Sequence, residues 1–156
     1  MNKDTFYMNM AIELAKQAQA NTDVPVGALV VVDDEVVSTG FNRRELDKSS
    51  IAHAEVIAIN EACKKLGGWR LHNATLYVTL EPCPMCAGAI INSRIKRVVY
   101  GAKDVKAGAF GSVLNMNSYP LNHKVELDFP VCENECTSLL TDFFSKLRKK
   151  SENKGG

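Results

Sequence analysis

From residue 27 onward the chain alternates two kinds of apolar pattern, and this alternation limits the possible folds more than any other feature. Gly27-Ala28-Leu29-Val30-Val31-Val32 is a short β-branched run, and Asp33-Asp34 separates it from Val36-Val37-Ser38-Thr39, so the two read as an antiparallel hairpin. Ala52 to Leu66 holds good helix formers without Gly or Pro and is stopped by Gly67-Gly68. Ala74 to Leu80 alternates toward a strand, Glu81-Pro82 breaks it, Cys83 to Asn92 resumes helical character, and Arg97-Val98-Val99-Tyr100-Gly101 reads as the next strand. Strand, helix, strand, helix and strand after a hairpin predicts an α/β sandwich with parallel crossovers.

The flanking segments complete one domain. Met8, Ala11, Ile12, Ala15 and Ala18 recur at helical spacing, with Asp4 or Thr5 as candidate N-cap and an end near Asn21-Thr22-Asp23. Phe41 to Ser50 is polar and reads as a loop. Ala102 to Asn122 is rich in Gly, Ser and Asn without a clear period, and a connection that long in a compact domain is usually functional, so a lid or substrate loop is expected there. Val125 to Leu127 suits a short last strand, and Leu139, Leu140, Phe143, Phe144 and Leu147 form the apolar face of a closing helix, with the tail after about residue 150 expected to be disordered. At 156 residues and 46% hydrophobic content, residues 1–156 are assigned to a single domain with a sizeable core.

Charge and cysteine usage exclude several function classes. Nineteen basic against 18 acidic residues leave a net charge of +1, which rules out a strongly basic, histone-like binder and confines any nucleic-acid contact to a local patch. Met1-Asn2-Lys3-Asp4 carries acid early and no long apolar run follows, so neither a signal peptide nor a membrane span is expected, and the location is read as cytoplasmic. Five cysteines in a reducing compartment do not suggest a disulfide framework. The closely spaced Cys83 and Cys86 point instead to metal or redox chemistry, whereas Cys63, Cys132 and Cys136 read as ordinary thiols.

Two short motifs carry the chemistry: His53-Ala54-Glu55 and Pro82-Cys83-Pro84-Met85-Cys86. Zinc takes imidazole nitrogen and thiolate sulfur, and a catalytic site uses three protein ligands with the fourth position left for water. His53, Cys83 and Cys86 supply such a set. The two cysteines lie three residues apart at the start of a predicted helix, so they share a face, and the helix N-terminus favours their thiolates. Glu55 follows His53 by two residues and suits a proton shuttle beside a metal-bound water. Taken singly, His53 reads as a capping or core histidine and the CxxC as a redox pair or half of a four-cysteine structural site. A thioredoxin-like pair leaves His53 and Glu55 without a role. The combination is the H-x-E and P-C-x-x-C signature of zinc deaminases.

With those motifs in place the chain resembles the bacterial tRNA-specific adenosine deaminases of the cytidine deaminase-like superfamily. The resemblance runs through Asp23-Val24-Pro25-Val26-Gly27-Ala28, Phe41-Asn42-Arg43-Arg44-Glu45, Ala52-His53-Ala54-Glu55, Trp69-Arg70-Leu71, Thr75 to Gly88, Ser93-Arg94-Ile95 and Val99-Tyr100-Gly101-Ala102, with Asn122-His123 and Phe143-Phe144 fitting as well. It implies a three-layer α/β/α sandwich around a mixed sheet of about five strands. It further implies a homodimer with one zinc per subunit that hydrolyses adenosine to inosine at the wobble position of a tRNA anticodon stem-loop. In that picture zinc-bound hydroxide attacks C6 of a flipped adenine while Glu55 shuttles protons. Substrate-binding positions are expected on the resemblance at Asn42, Ala54 and Asn122, with Asn42 also suiting a simple turn residue. Basic candidates for contacts to RNA are Arg44, Arg70 and Lys106, beside Arg43, Lys103, Lys146, Arg148 and Lys149. Phe110 is bulkier than the small residue the family often has. Rival readings are a deaminase of a free base, nucleoside or nucleotide, and a non-catalytic zinc-stabilised RNA-binding module, against which Glu55 argues.

Overall fold

The structure, a computed structural model, describes residues 2–155. Five strands, β1 (Gly27–Val32), β2 (Glu35–Phe41), β3 (Thr75–Leu80), β4 (Arg97–Ala102) and β5 (Glu126–Asp128), form one sheet in the order β2-β1-β3-β4-β5. β1 is antiparallel to both β2 and β3, and the β3, β4 and β5 neighbours are parallel, so the sheet is mixed as the alternation predicted. Helices α1 (Lys3–Ala20) and α5 (Glu133–Gly155) cover one face, and α3 (Ala54–Leu66) and α4 (Pro84–Asn92) cover the other. The inner strands are predominantly apolar because both faces are buried, with Thr75, Thr79 and Arg97 as their polar positions. Ala28, Val30, Leu76, Val78, Val98 and Tyr100 enter the core under α3 and α4, while Leu29, Val31, Tyr77 and Val99 enter the core under α1. Among the described residues no helix is long and apolar enough to cross a membrane.

Gly40 lets helix and sheet approach closely where the site is built. A Cβ at Gly40 would lie 2.4 Å from the carbonyl oxygen of Ala54, so only glycine allows the first turn of α3 to rest on the backbone of β2. Gly27 does the same for α1, where a Cβ would lie 2.1 Å from the Ala11 oxygen.

The structure departs from the sequence reading at four places, each for a local physical reason. The N-cap of α1 is Asn2, whose side-chain oxygen accepts from the Thr5 N–H, rather than Asp4 or Thr5. The stretch expected to be a loop contains a one-turn helix, α2 (Arg44–Asp47), whose first turn is held by the Asp23 carboxylate accepting the Glu45 N–H and by Arg43 donating to Asp47. α5 runs on to Gly155 where disorder after about residue 150 was expected, since residues 151–154 carry no Gly or Pro and extending a helix already nucleated gains one hydrogen bond per residue. The connection after β4, read as a lid or substrate loop, is in part core: Ala109 and Phe110 are buried beneath α3 and α4, and Met116–Ser118 makes a 3₁₀ turn.

Asp4 is absorbed by a network that ties α1 to three strands. It accepts two hydrogen bonds from Arg97 (3.0 and 2.6 Å) and one from the Tyr77 hydroxyl (2.7 Å), and Arg97 also donates to Asp128 at 2.6 Å. The Arg97 guanidinium holds the Asp4 carboxyl below the ordinary carboxylate value, which is about 3.9. The stabilisation is therefore complete above that value and is lost as pH falls through the lower folded-state value. Asp4→Asn should cost about 1–2 kcal/mol in urea unfolding at neutral pH, and the gap to the parent protein should narrow as the pH falls below about 4.

Candidate active site

The two motifs open two helices. His53 is the N-cap of α3 and Cys83 the N-cap of α4, both with extended backbone that turns the chain into the helix, and Pro84 takes the first turn of α4, where its missing N–H costs nothing. β3 delivers the chain to Cys83, so the cysteine motif lies at the carboxyl end of a parallel strand, where open α/β sheets place their ligand crevices. Both helix N-termini bring positive partial charge to the same spot.

His53 Nδ1 lies 3.7 Å from Cys83 Sγ and 3.5 Å from Cys86 Sγ, and the three ligand atoms are all within 4.8 Å of one another. Zinc bonds of about 2.0–2.1 Å to nitrogen and 2.3 Å to sulfur, at a tetrahedral angle, would set nitrogen and sulfur about 3.6 Å apart. The donor set thus fits a tetrahedral cation in type and in spacing. Among the described residues it is the only cluster of three histidine, cysteine or acidic side chains brought together in this way.

The electrostatics of the trio agree with a metal centre. A hydrogen bond from the Cys86 thiol, with His53 second, pulls the Cys83 thiol down to about 4, whereas that same bond and burial push Cys86 well above the ordinary thiol range. The hydrogen bond to Cys83 raises the His53 imidazole. A lowered Cys83 thiol favours the thiolate, which is the form that takes up a cation. Glu55, in the first turn of α3, is 4% exposed, and burial raises its carboxyl to about 7. A carboxyl that exchanges its proton near neutrality suits general acid–base work.

A cleft joins these groups to Asn42, Arg44, Leu80 and the valines Val24 and Val26, with Glu81, Asp104 and Ala107 completing its wall. Asn42 is buried, and its Oδ1 accepts the Ala54 N–H at 2.9 Å, so it caps α3 from a neighbouring loop. Its Nδ2 remains a donor for a ligand. Ala54 contributes that N–H to the Asn42 contact, and its side chain is buried in the core and absent from the cleft's lining. Arg44 is held at the rim by Nε donating to Asp23 at 3.3 Å. The other expected contacts lie off the cleft: Arg70 is exposed and stacks over Trp69 at 4.1 Å, and Lys106 and Asn122 are exposed and absent from its lining. Phe110 is 2% exposed and serves the core. Sequence reasoning missed Asp23, Glu81 and Asp104. Asp23 is 1% exposed and accepts from the Val24 and Glu45 N–H groups as well as from Arg44; an aspartate beside a valine-proline turn signals a bend, not these distant partners.

The family model for MafB19-like deaminases matches residues 1–148. A tRNA-specific adenosine deaminase of Bacillus subtilis (strain 168) is 49% identical over 153 residues, covering 97% of this chain and 95% of that one. A solved structure from a study of A-to-I editing by tRNA:A34 deaminases at the wobble position of transfer RNA superposes with a TM-score of 0.85 at 41% identity, over 87% of this chain and 99% of its own. A guanine deaminase from Bacillus subtilis superposes with a TM-score of 0.62 at 33% identity, over 78% of this chain and 88% of its own.

The two duties of Asn42 are separable. Asn42→Ala leaves the Ala54 N–H buried without a partner and should destabilise the fold by about 1–3 kcal/mol in denaturant titrations. Asn42→Asp retains an acceptor and should recover most of that loss while abolishing the Nδ2 donor.

Proposed function

The chain belongs to the MafB19-like deaminases and, within them, to the tRNA-specific adenosine deaminases, and we propose that it hydrolyses adenosine to inosine at wobble position 34 of tRNA anticodons. The observation that carries the mechanism is the buried carboxyl of Glu55 in the same cleft as a three-ligand cation site, beside an asparagine with a free amide donor. Water enters at C6 of the purine and ammonia leaves. His53 Nδ1, Cys83 Sγ and Cys86 Sγ would hold a zinc ion, one per subunit, which would supply Lewis-acid activation of a water at neutral pH.

The protein's own residues do the rest. A Glu55 carboxylate oxygen takes one proton from the attacking water and passes it to the purine ring nitrogen, then takes the second from the new C6 hydroxyl and delivers it to the departing amine, so that a C6 carbonyl forms as ammonia leaves. Asn42 Nδ2 donates to the base, since its oxygen is committed to Ala54. Val24, Val26 and Leu80 offer apolar surface to the base, which an anticodon loop can present unstacked, at a lower cost than a duplex. Arg44, with one guanidinium nitrogen engaged by Asp23, keeps donors for ribose or phosphate at the rim, and Arg70 and Lys106 are available to the RNA backbone outside it. Exposed Leu46, Ile51 and Met85, close in sequence to the site, support a homodimer, and free thiols at Cys63, Cys132 and Cys136 suit the cytoplasm.

Purified protein incubated with a tRNA carrying adenosine at position 34 should release ammonia and give A-to-G changes in cDNA, with no turnover of free adenosine, cytidine or guanine. Activity on guanine alone would favour the second reading, a free-base deaminase, which the likeness to the guanine deaminase keeps in play. Glu55→Ala should retain zinc and lose about 10²-fold or more in kcat, whereas Cys83→Ala should lose zinc and turnover together. Asn42→Asp should retain zinc with reduced kcat/KM.

A further inference from the structure

Glu81 is a buried carboxylate that the chemistry above does not use. It ends the run from β3 toward Cys83 and is 1% exposed. Its Oε1 accepts the Asp104 N–H at 3.1 Å and the Ser112 hydroxyl, and its Oε2 accepts the N–H groups of Phe110 at 3.1 Å and Ser112 at 3.2 Å. Four donors occupy the carboxylate, and no lone pair is left for a substrate or a proton in flight. The chain from 104 to 112 closes around it. Gly108 lies directly against the carboxyl group, where a Cβ would come within 2.4 Å of Cδ and Oε2, and its N–H donates to the Asp104 carbonyl at 2.8 Å. The Ala109 N–H donates to the carbonyl of Pro82, the residue before Cys83, at 2.9 Å.

We propose that Glu81 is a positioning residue that folds residues 104–112 into the wall of the base pocket, so that Asp104 and Ala107 hold a fixed distance from the metal ligands. The proposal rests on the reading of this cleft as the substrate pocket. One backbone run, 81 to 83, then carries both the anchor of the wall and a ligand of the cation. The wall cannot relax without moving the backbone beside Cys83, and the pocket's width is set by backbone hydrogen bonds to one side chain.

The test uses the full-length zinc-loaded protein. Glu81→Gln keeps the shape but points an amide group at N–H donors, so amide hydrogen exchange at Phe110 and Ser112 should accelerate about tenfold or more. Zinc content should be unchanged, and KM for an anticodon stem-loop should rise about tenfold with kcat within about threefold. Gly108→Ala crowds the same carboxylate and should reproduce that signature, and Ser112→Ala, which removes one donor of four, should give a milder version should Glu81→Gln not fold. Unchanged exchange at both amides, loss of zinc, or a fall in kcat alone would overturn the assignment, the last by making Glu81 part of the chemistry. If the parent protein does not act on the stem-loop, the functional reading fails while the exchange data still decide whether Glu81 anchors the wall.

Discussion

A spacing of 3.5 to 3.7 Å between one imidazole nitrogen and two sulfurs is the constraint to which the rest of the molecule answers. Those atoms belong to helices α3 and α4, thirty residues apart in sequence, so neither helix can drift along its axis without breaking the set. Each ligand-bearing helix is therefore located at its first turn, where its orphan N–H groups need partners. β3 feeds α4 directly through Glu81 and Pro82. α3 is placed by Asn42 accepting the Ala54 N–H and by backbone contact with β2. The buried faces of the sheet then supply the apolar area that holds both helices against it.

Buried carboxylates organise the mouth of the cleft, and they do so mostly through backbone donors. Asp23 gathers the turn before β1, the first turn of α2 and Arg44. Glu81 gathers the segment after β4. A carboxylate removed from water is costly unless its oxygens are filled, and here the donors that fill them come from the very loops that line the pocket. Loop conformation and side-chain solvation are thus the same set of hydrogen bonds. Glu55 differs in balance: burial outweighs the hydrogen bonds from its own backbone and from Cys86, raises its carboxyl to about 7, and leaves it able to exchange a proton.

The parts of this arrangement legible in the sequence are those whose signal is local. The candidate cation ligands and Glu55 stand at spacings of two and three residues within helix-opening motifs, and β1, β3 and β4 are mostly apolar runs rich in β-branched and aromatic residues because both their faces are covered. The N-cap of α1, the single turn α2 and the roles of Asp23 and Glu81 were not legible, because each depends on a partner 20 to 30 residues distant or on a choice among adjacent polar residues. Asp4 shows the difficulty well. It is a good N-cap by type, yet its carboxylate faces Arg97 and Tyr77, 93 and 73 residues away, and Asn2 takes the cap. The surface positions Arg70, Lys106 and Asn122 are exposed outside the cleft, and nothing within the chain marks them for a ligand.

Gly40 has an effect that reaches past its own contact. Because α3 meets β2 backbone to backbone there, the height of His53 and Glu55 above the sheet does not depend on the volume of any side chain at that point. Methyl groups elsewhere in the core under α3 can be exchanged at some loss of stability while the reacting groups keep their station. Robustness of the chemistry to drift in the core, and with it the freedom of such a scaffold to diverge in sequence, is purchased at one position that must stay empty.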